Sequence, residues 1–245
     1  MTQSLDRAFD LLEAVAKHGA PAPLSALAKA CELHPATAAR LLQSLVARGY
    51  LEQPIAKGPY SIGPAPFALC QLAPYRPDLR HAVSDVVDQL ARDLRVTVTA
   101  SVLRGGRRFH LAKCSGDQEV TVSDALIESP FIYRAPTGRL LLAQLSVPEL
   151  ASFMHTHGYP SQLWPDIRSA DDLAAQLAPL RERDEIIDQR PEVVSLARPL
   201  RQAGRVVAAL GAFLPTERYT DSHAVRVRHG MAEAASTIET RLEHP

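Results

Sequence analysis

Apolar positions near the N-terminus recur at helical spacing in three separate runs. Leu5, Ala8, Phe9, Leu12, Val15 and Ala16 form one stripe, stopped by Gly19 and by Pro21 and Pro23. Leu24, Leu27, Ala28 and Cys31 form a shorter one, and Ala38, Leu41, Leu42, Leu45 and Val46 form a third that ends at Gly49. Spacings of three and four place each set on one face of an α-helix. The pattern therefore predicts one helix, then two short helices around a tight turn at Glu32-Leu33. Beyond Gly49 the period changes. Tyr50-Leu51-Glu52 and Tyr60-Ser61-Ile62 are β-prone pieces separated by Pro54 to Pro59, with Lys57-Gly58 at the tip, and predict a hairpin. Helix, helix-turn-helix and hairpin in this order predict a winged helix, whose third helix fits the major groove of B-DNA.

Pro64, Pro66, Pro74 and Pro77 then bracket a short apolar segment, Phe67 to Leu72, which reads as a linker helix. After it, Leu79, Val83, Val86, Val87, Leu90 and Leu94 mark an amphipathic helix. Val96, Val98, Ala100 and Val102 alternate as a strand, Arg104-Gly105-Gly106-Arg107 supplies a hairpin turn, and Phe109 to Ala112 is the returning partner. Further helices are predicted at 138–144, 148–155, 170–183 and 222–242, and a second hairpin at 193–200 and 205–214 around Gln202-Ala203-Gly204. Antiparallel strands flanked by helices make an α+β domain. The expected division is a winged helix over 1–65, a linker over 66–77 and the α+β domain over 78–245.

Composition narrows the picture. With 46% hydrophobic residues the 245-residue chain can bury a sizeable core. Its longest apolar run, 206–214, is broken by Gly211 and falls far short of a membrane span. Asp6, Arg7 and Asp10 interrupt any signal-peptide core, so a cytoplasmic protein is expected. Cys31, Cys70 and Cys114 form neither a disulfide framework nor a CxxC pair. Net charge is zero, and the first 66 residues carry six basic side chains against five acidic ones, so DNA contact must come from a local surface. That surface is the outer face of the third helix, with Ala36, Thr37, Arg40 and Gln43. Arg40 can hold guanine O6 and N7 or a phosphate, Gln43 can read adenine, and Thr37 can bond a phosphate. An alanine methyl such as that of Ala36 suits a thymine methyl. Lys57 at the hairpin tip can reach phosphate or the minor groove.

No GxSxG elbow, HExxH, phosphate loop or glycine-rich dinucleotide turn is present, so no enzyme is predicted. His155 with His157, and His110 with Cys114, leave open a metal- or haem-sensing variant, and the Cys114-Ser115-Gly116-Asp117 stretch a small-molecule hydrolase. The simpler reading is a polar helix end and a small strand-end residue, with no metal and no cofactor.

Leu33-His34-Pro35-Ala36-Thr37-Ala38-Ala39-Arg40-Leu41-Leu42, with Leu45, Gly49, Tyr50 and Leu51, is followed by Tyr60-Ser61-Ile62-Gly63-Pro64, by Ala135-Pro136-Thr137-Gly138-Arg139-Leu140-Leu141-Leu142-Ala143, and by Ala197-Arg198-Pro199-Leu200 before Gly204-Arg205-Val206-Val207. In this order these stretches resemble the IclR family of bacterial transcriptional regulators over nearly the whole chain. The resemblance implies a homodimer, often paired into a tetramer. It also implies a winged helix that binds a double-stranded operator, and a GAF-like second domain that binds a small organic acid or aromatic metabolite of a catabolic operon. Activator and repressor both stay open. Three positions depart from the family pattern: Ala36 stands where serine is common, Pro23 where a serine caps the second helix, and Glu32 where the turn often has glycine.

The resemblance assigns effector contacts to Val120, Ser123 and Phe131, to Thr137 and Gly138, to Asp188 and Ser195, and to Gly211 and Phe213. The last two stand where some carboxylate-binding relatives carry serines. The expectation is a larger or more aromatic ligand than a small keto acid.

Overall fold

The three N-terminal stripes become α1 (Gln3–His18), α2 (Leu24–Ala30) and α3 (Pro35–Ala47), followed by β1 (Leu51–Glu52), β2 (Ser61–Ile62) and α4 (Ala65–Leu72). The computed structural model describes residues 3–116, 131–161 and 163–244. The chain divides into two units, Met1–Tyr75 and Arg76–Pro245.

In the first unit Leu11, Val15, Leu27, Ala38, Leu41, Leu42, Leu51 and Tyr60 share one apolar core. The turn between α2 and α3 is built without glycine: Glu32 sits at φ 53°, and the Leu33 N–H donates to the Ala28 carbonyl at 2.8 Å. Pro35 occupies the first turn of α3, where its missing N–H costs nothing. The preceding His34 adds a cap that the sequence did not announce, its Nδ1 accepting from the Ala36 N–H at 3.3 Å. Pro23 stands at the N-cap of α2 and supplies no side-chain acceptor. A second unannounced feature joins the α1–α2 loop to the wing. Ala22 and Tyr60 exchange both backbone hydrogen bonds at 2.8 Å, between two prolines that carry no strand signal of their own.

The second unit contains α5 (Pro77–Leu94), β3 (Thr97–Arg104), β4 (Arg107–Ser115), α6 (Pro136–Leu142), α7 (Val147–His157), α8 (Ala170–Leu177), β5 (Ile186–Gln189), β6 (Val193–Gln202), β7 (Arg205–Pro215) and α9 (Asp221–Glu243). Its sheet runs β4-β3-β7-β6-β5, every pair antiparallel. Val98, Ala100, Val102, Leu196, Leu210 and Ala212 share a core with residues of α5 and α9 such as Val83, Val87, Met231 and Ile238. Leu103, Ile186, Ala197 and Ala209 belong to a second core with Leu140 of α6, Leu150 and Phe153 of α7 and Leu173 of α8. The sheet is thus covered on both faces, as an α+β layer architecture requires.

Three details differ from the sequence reading. The helix expected over 170–183 ends at Leu177, because Pro179 offers no N–H to continue it, and 178–180 tightens into a 3₁₀ turn. β5 was not foreseen; a four-residue edge strand is too short to display a period. β4 extends to Ser115, with a register shift opposite Ala100 and Ser101 that leaves Leu111 as an extra residue.

Candidate functional site

On α3 the helical repeat sets Ala38, Leu41 and Leu42 inward and Ala36, Arg40 and Gln43 outward. Ala36, Arg40 and Gln43 are exposed and Thr37 is half-buried. Among the described residues the Arg40 guanidinium has no hydrogen-bond or ion-pair partner. Gln43 is engaged: its Nε2 donates to Gln53 Oε1 at 3.3 Å, and Gln53 Nε2 donates to the Gly58 carbonyl at 2.8 Å. Lys57, exposed at φ 62°, lies in the same loop, which the Gly58 N–H closes onto the Ile55 carbonyl at 2.7 Å.

In the second unit, register places the sequence-derived positions together. Asp188, Ser195, Phe213, Thr97 and Ser115 stand side by side across the five strands. Two residues along, Ile186, Ala197, Gly211, Thr99 and Lys113 form the next row. This is the sheet face that carries Ala197 and Ile186 into the core with α6. Thr137 of α6 lies over it. A Cβ built on Gly211 would come within 2.6 Å of Thr137 Cγ2 and 3.0 Å of Thr99 Oγ1. A side chain at 211 has no free space, because the Thr137 methyl fills it. Gly138 also answers to packing, since a Cβ there would run into the Ile132 carbonyl.

The polar lining is richer than the sequence reading. Arg108, only 7% exposed, donates from Nη1 to Thr137 Oγ1 at 2.7 Å, and burial pushes its pKa down to about 10, so it stays charged at neutral pH. Thr97, Thr99 and Ser101 are all buried on β3. Ser101 Oγ and His110 Nδ1 lie 2.8 Å apart, and Thr97 Oγ1 and Ser115 Oγ 3.3 Å apart. Asp188 is not a free acid: Arg139 Nη2 approaches its Oδ2 at 3.2 Å and Arg190 Nη2 at 2.8 Å. Arg190 also reaches the Arg134 carbonyl at 3.1 Å. Burial draws the Arg139 pKa down, with Asp188 opposing and Arg190 adding to the shift. Arg139 Nε is buried without a partner among the described residues. Val120 and Ser123 lie outside the described residues, as does the side chain of Phe131, whose backbone opens a 3₁₀ turn. The alternation Thr97, Thr99, Ser101 between Val96, Val98, Ala100 and Val102 was the signal for this face. A strand apolar on one side and hydroxyl-bearing on the other, inside a covered sheet, has a polar interior side.

The histidine pairs do not converge. His155 and His157 are two apart on α7 and so point to opposite sides; His155 is exposed, while His157 stacks on Phe153 with ring centroids 4.6 Å apart. The extra residue in β4 sends His110 to Ser101 and Cys114 to the α5 side. Among the described residues no three His, Cys, Asp or Glu side chains gather as metal ligands. A hollow of about 450 Å³ beside α7 is lined by Ala151, Met154, His155, Gly158, Tyr159 and Ala170, with His155 as its one residue from the histidine pairs. Among the described residues no helix is long and apolar enough to cross a membrane.

Comparison with known proteins adds the relationship. The profile of the IclR helix-turn-helix domain matches residues 4–54, and that of the bacterial transcriptional regulator IclR C-terminal domain matches residues 73–240. The chain is 22% identical to the HTH-type transcriptional regulator XynR of Escherichia coli, over 99% of this chain and 98% of that protein. It is 24% identical to the acetate operon repressor of Salmonella typhimurium, over 96% and 88%. Among solved structures, an IclR homolog from Microbacterium hydrocarbonoxydans complexed with 4-hydroxybenzoate superposes with a TM-score of 0.72 at 22% identity, covering 98% of each chain. The Thermotoga maritima IclR does so with 0.68 at 18% identity, covering 99% of each. With the family's two domains matched over residues 4–54 and 73–240, this chain belongs to the IclR family of bacterial transcriptional regulators.

Proposed function

We propose that the protein is a non-enzymatic, cytoplasmic regulator that binds an operator as a homodimer or a pair of dimers and is switched by a small organic anion. The observation that carries the reading is the outer face of α3, where Arg40 is exposed and has no internal partner among the described residues. Ala36, Thr37, Arg40 and Gln43 would enter the major groove, with Lys57 on the backbone. α4 supports a dimer: it buries no residue, and Phe67, Leu69 and Leu72 are 69%, 51% and 83% exposed. So apolar a helix, exposed among the described residues, suits a second copy of the chain.

The effector would lie on the α6 side of the sheet, against Thr137, Gly138, Ser195, Gly211, Phe213 and the Asp188 cluster, with Val120, Ser123 and Phe131 completing it by family resemblance. Two arginines share one carboxylate there, so the cluster keeps a net positive charge suited to an acid. The 4-hydroxybenzoate held by a relative is such an acid. A ligand that favours one spacing of the two winged helices shifts occupancy of DNA in either direction. Gel-shift titration of Arg40→Ala tests the DNA reading: binding should weaken by about 1 to 3 kcal/mol with assembly unchanged, and an unmoved midpoint refutes it. Thermal-shift screening of aliphatic and aromatic acids tests the effector reading, and a response confined to amines or uncharged compounds overturns it.

A further inference from the structure

We infer that Gln53, in the wing, is a positioning residue that holds the Gln43 carboxamide in the orientation that reads adenine. The inference rests on α3 being the base-reading helix and adds a residue that touches no base itself. The Gly58 carbonyl can only accept. Gln53 must therefore turn its Nε2 toward it, as it does at 2.8 Å, and this leaves Gln53 Oε1 facing α3. That oxygen can only accept, so Gln43 must present its own amide nitrogen, at 3.3 Å. One fixed acceptor at the end of the chain thus dictates the direction of both amides. Gln43 Nε2 carries two N–H bonds. Giving one to Gln53 leaves the other, together with an Oε1 that has no partner among the described residues, to meet a base. A donor next to an acceptor is the complement of adenine N7 and N6 in the major groove; a flipped amide would meet them with the wrong polarity.

The anchor is stiff. The Gly58 N–H bonds the Ile55 carbonyl at 2.7 Å, and a Cβ on Gly58 would come within 2.8 Å of that same oxygen, so this turn suits glycine. Gln53 is half-buried where Gln43 is exposed, which fits a support rather than a contact. The wing therefore sets which base the recognition helix prefers, besides any contact Lys57 makes with the backbone.

The test is selection from a random duplex library with the full-length protein, scoring base preference at each position. Wild type should select adenine at one position of each half-site. Gln43→Ala should lower that preference roughly tenfold or more and leave other positions intact. Gln53→Met, which keeps the chain length and removes both hydrogen bonds, should lower the preference at the same position at least threefold. Its affinity for a non-specific duplex should change less than twofold and its melting curve should stay cooperative. Gln53→Glu, which loses the bond to the Gly58 carbonyl but still offers Gln43 Nε2 an acceptor, should retain more of the adenine preference than the methionine variant. If Gln43→Ala alters no position, base reading through this residue is wrong and the inference falls with it. If Gln43→Ala loses the adenine and Gln53→Met keeps it, the helix reads as described and only the role of Gln53 is overturned.

Discussion

Gly211 offers the sharpest test of how the α6 side of the sheet is built. Replacing it with alanine adds one Cβ, 2.6 Å from Thr137 Cγ2 and 3.0 Å from Thr99 Oγ1, whereas carbon atoms rest at about 3.5 to 4.0 Å. Thr137 would have to retreat by about 1 Å, and it has little room: it is 6% exposed, tied to Arg108, and followed by Gly138, itself packed on the Ile132 carbonyl. Gly211→Ala should therefore destabilise by about 1 to 3 kcal/mol, the usual cost of overpacking. Thr137→Ser removes the offending methyl while keeping a hydroxyl for Arg108, and alone should cost about 1 kcal/mol, one buried methyl group. Together the two changes should cost less than their sum, with a coupling of at least about 1 kcal/mol, outside the roughly 0.5 kcal/mol within which independent sites add. Urea unfolding of the four proteins with comparable m-values measures the cycle. Additivity, or a Gly211→Ala protein as stable as wild type, refutes the close contact between α6 and β7.

Other consequences can be checked directly. Glu32 holds a left-handed conformation at φ 53°, which costs a non-glycine residue about 1 kcal/mol; glycine's greater freedom when unfolded returns about half of that. Glu32→Gly should thus gain about 0.5 kcal/mol in urea titration, and a loss would mean the side chain stabilises the turn. Leu72→Lys on α4 should yield monomers by light scattering with an unchanged far-UV spectrum; persistence of the oligomer would place its interface elsewhere. Burial, and then the charge of Arg107, hold the His157 imidazole below its ordinary pKa. The unfolded chain takes up this proton near pH 6.5 while the folded protein resists it, so stability should fall as pH drops below about 6.5 and recover as it rises. His157→Gln should flatten that part of the profile, and an identical slope in both proteins would remove His157 as its source.

Most of the scaffold was legible because burial writes a period into the sequence. The stripes of α3 and α5 became buried faces, and the alternation of Val96 to Val102 became the α5 side of β3, whereas on α1 Leu5 and Phe9 of the predicted stripe stand exposed and Leu11, outside it, is buried beside Val15. What stayed hidden depended on partners distant in sequence. The exchange between Ala22 and Tyr60 joins a proline-flanked residue to the wing, and no local propensity encodes it. β5 exists because β6 offers it an edge, and α8 stops early at a proline whose consequence is visible only once the helix is laid out.

The site divides along the same line. Arg40 and Gln43 were readable because a helix with one apolar stripe exposes its opposite side, whatever else the chain does. The residues proposed for the effector were readable only as a set of positions, and their neighbours were not: Asp188 is occupied by two arginines, and the Thr137 methyl packs where a Cβ on Gly211 would stand. Arg108 carries no local signal, since an arginine beside a hairpin turn reads as solvated. Here Leu103, its register partner, faces the core containing α6, so the strand carries the guanidinium inward with it. His110 and Cys114 illustrate the limit most simply. Four residues apart on an unbroken strand they would share a face; a single extra residue between them puts them on opposite sides of the sheet, and no count of spacings along one strand reveals a bulge that only its partner defines.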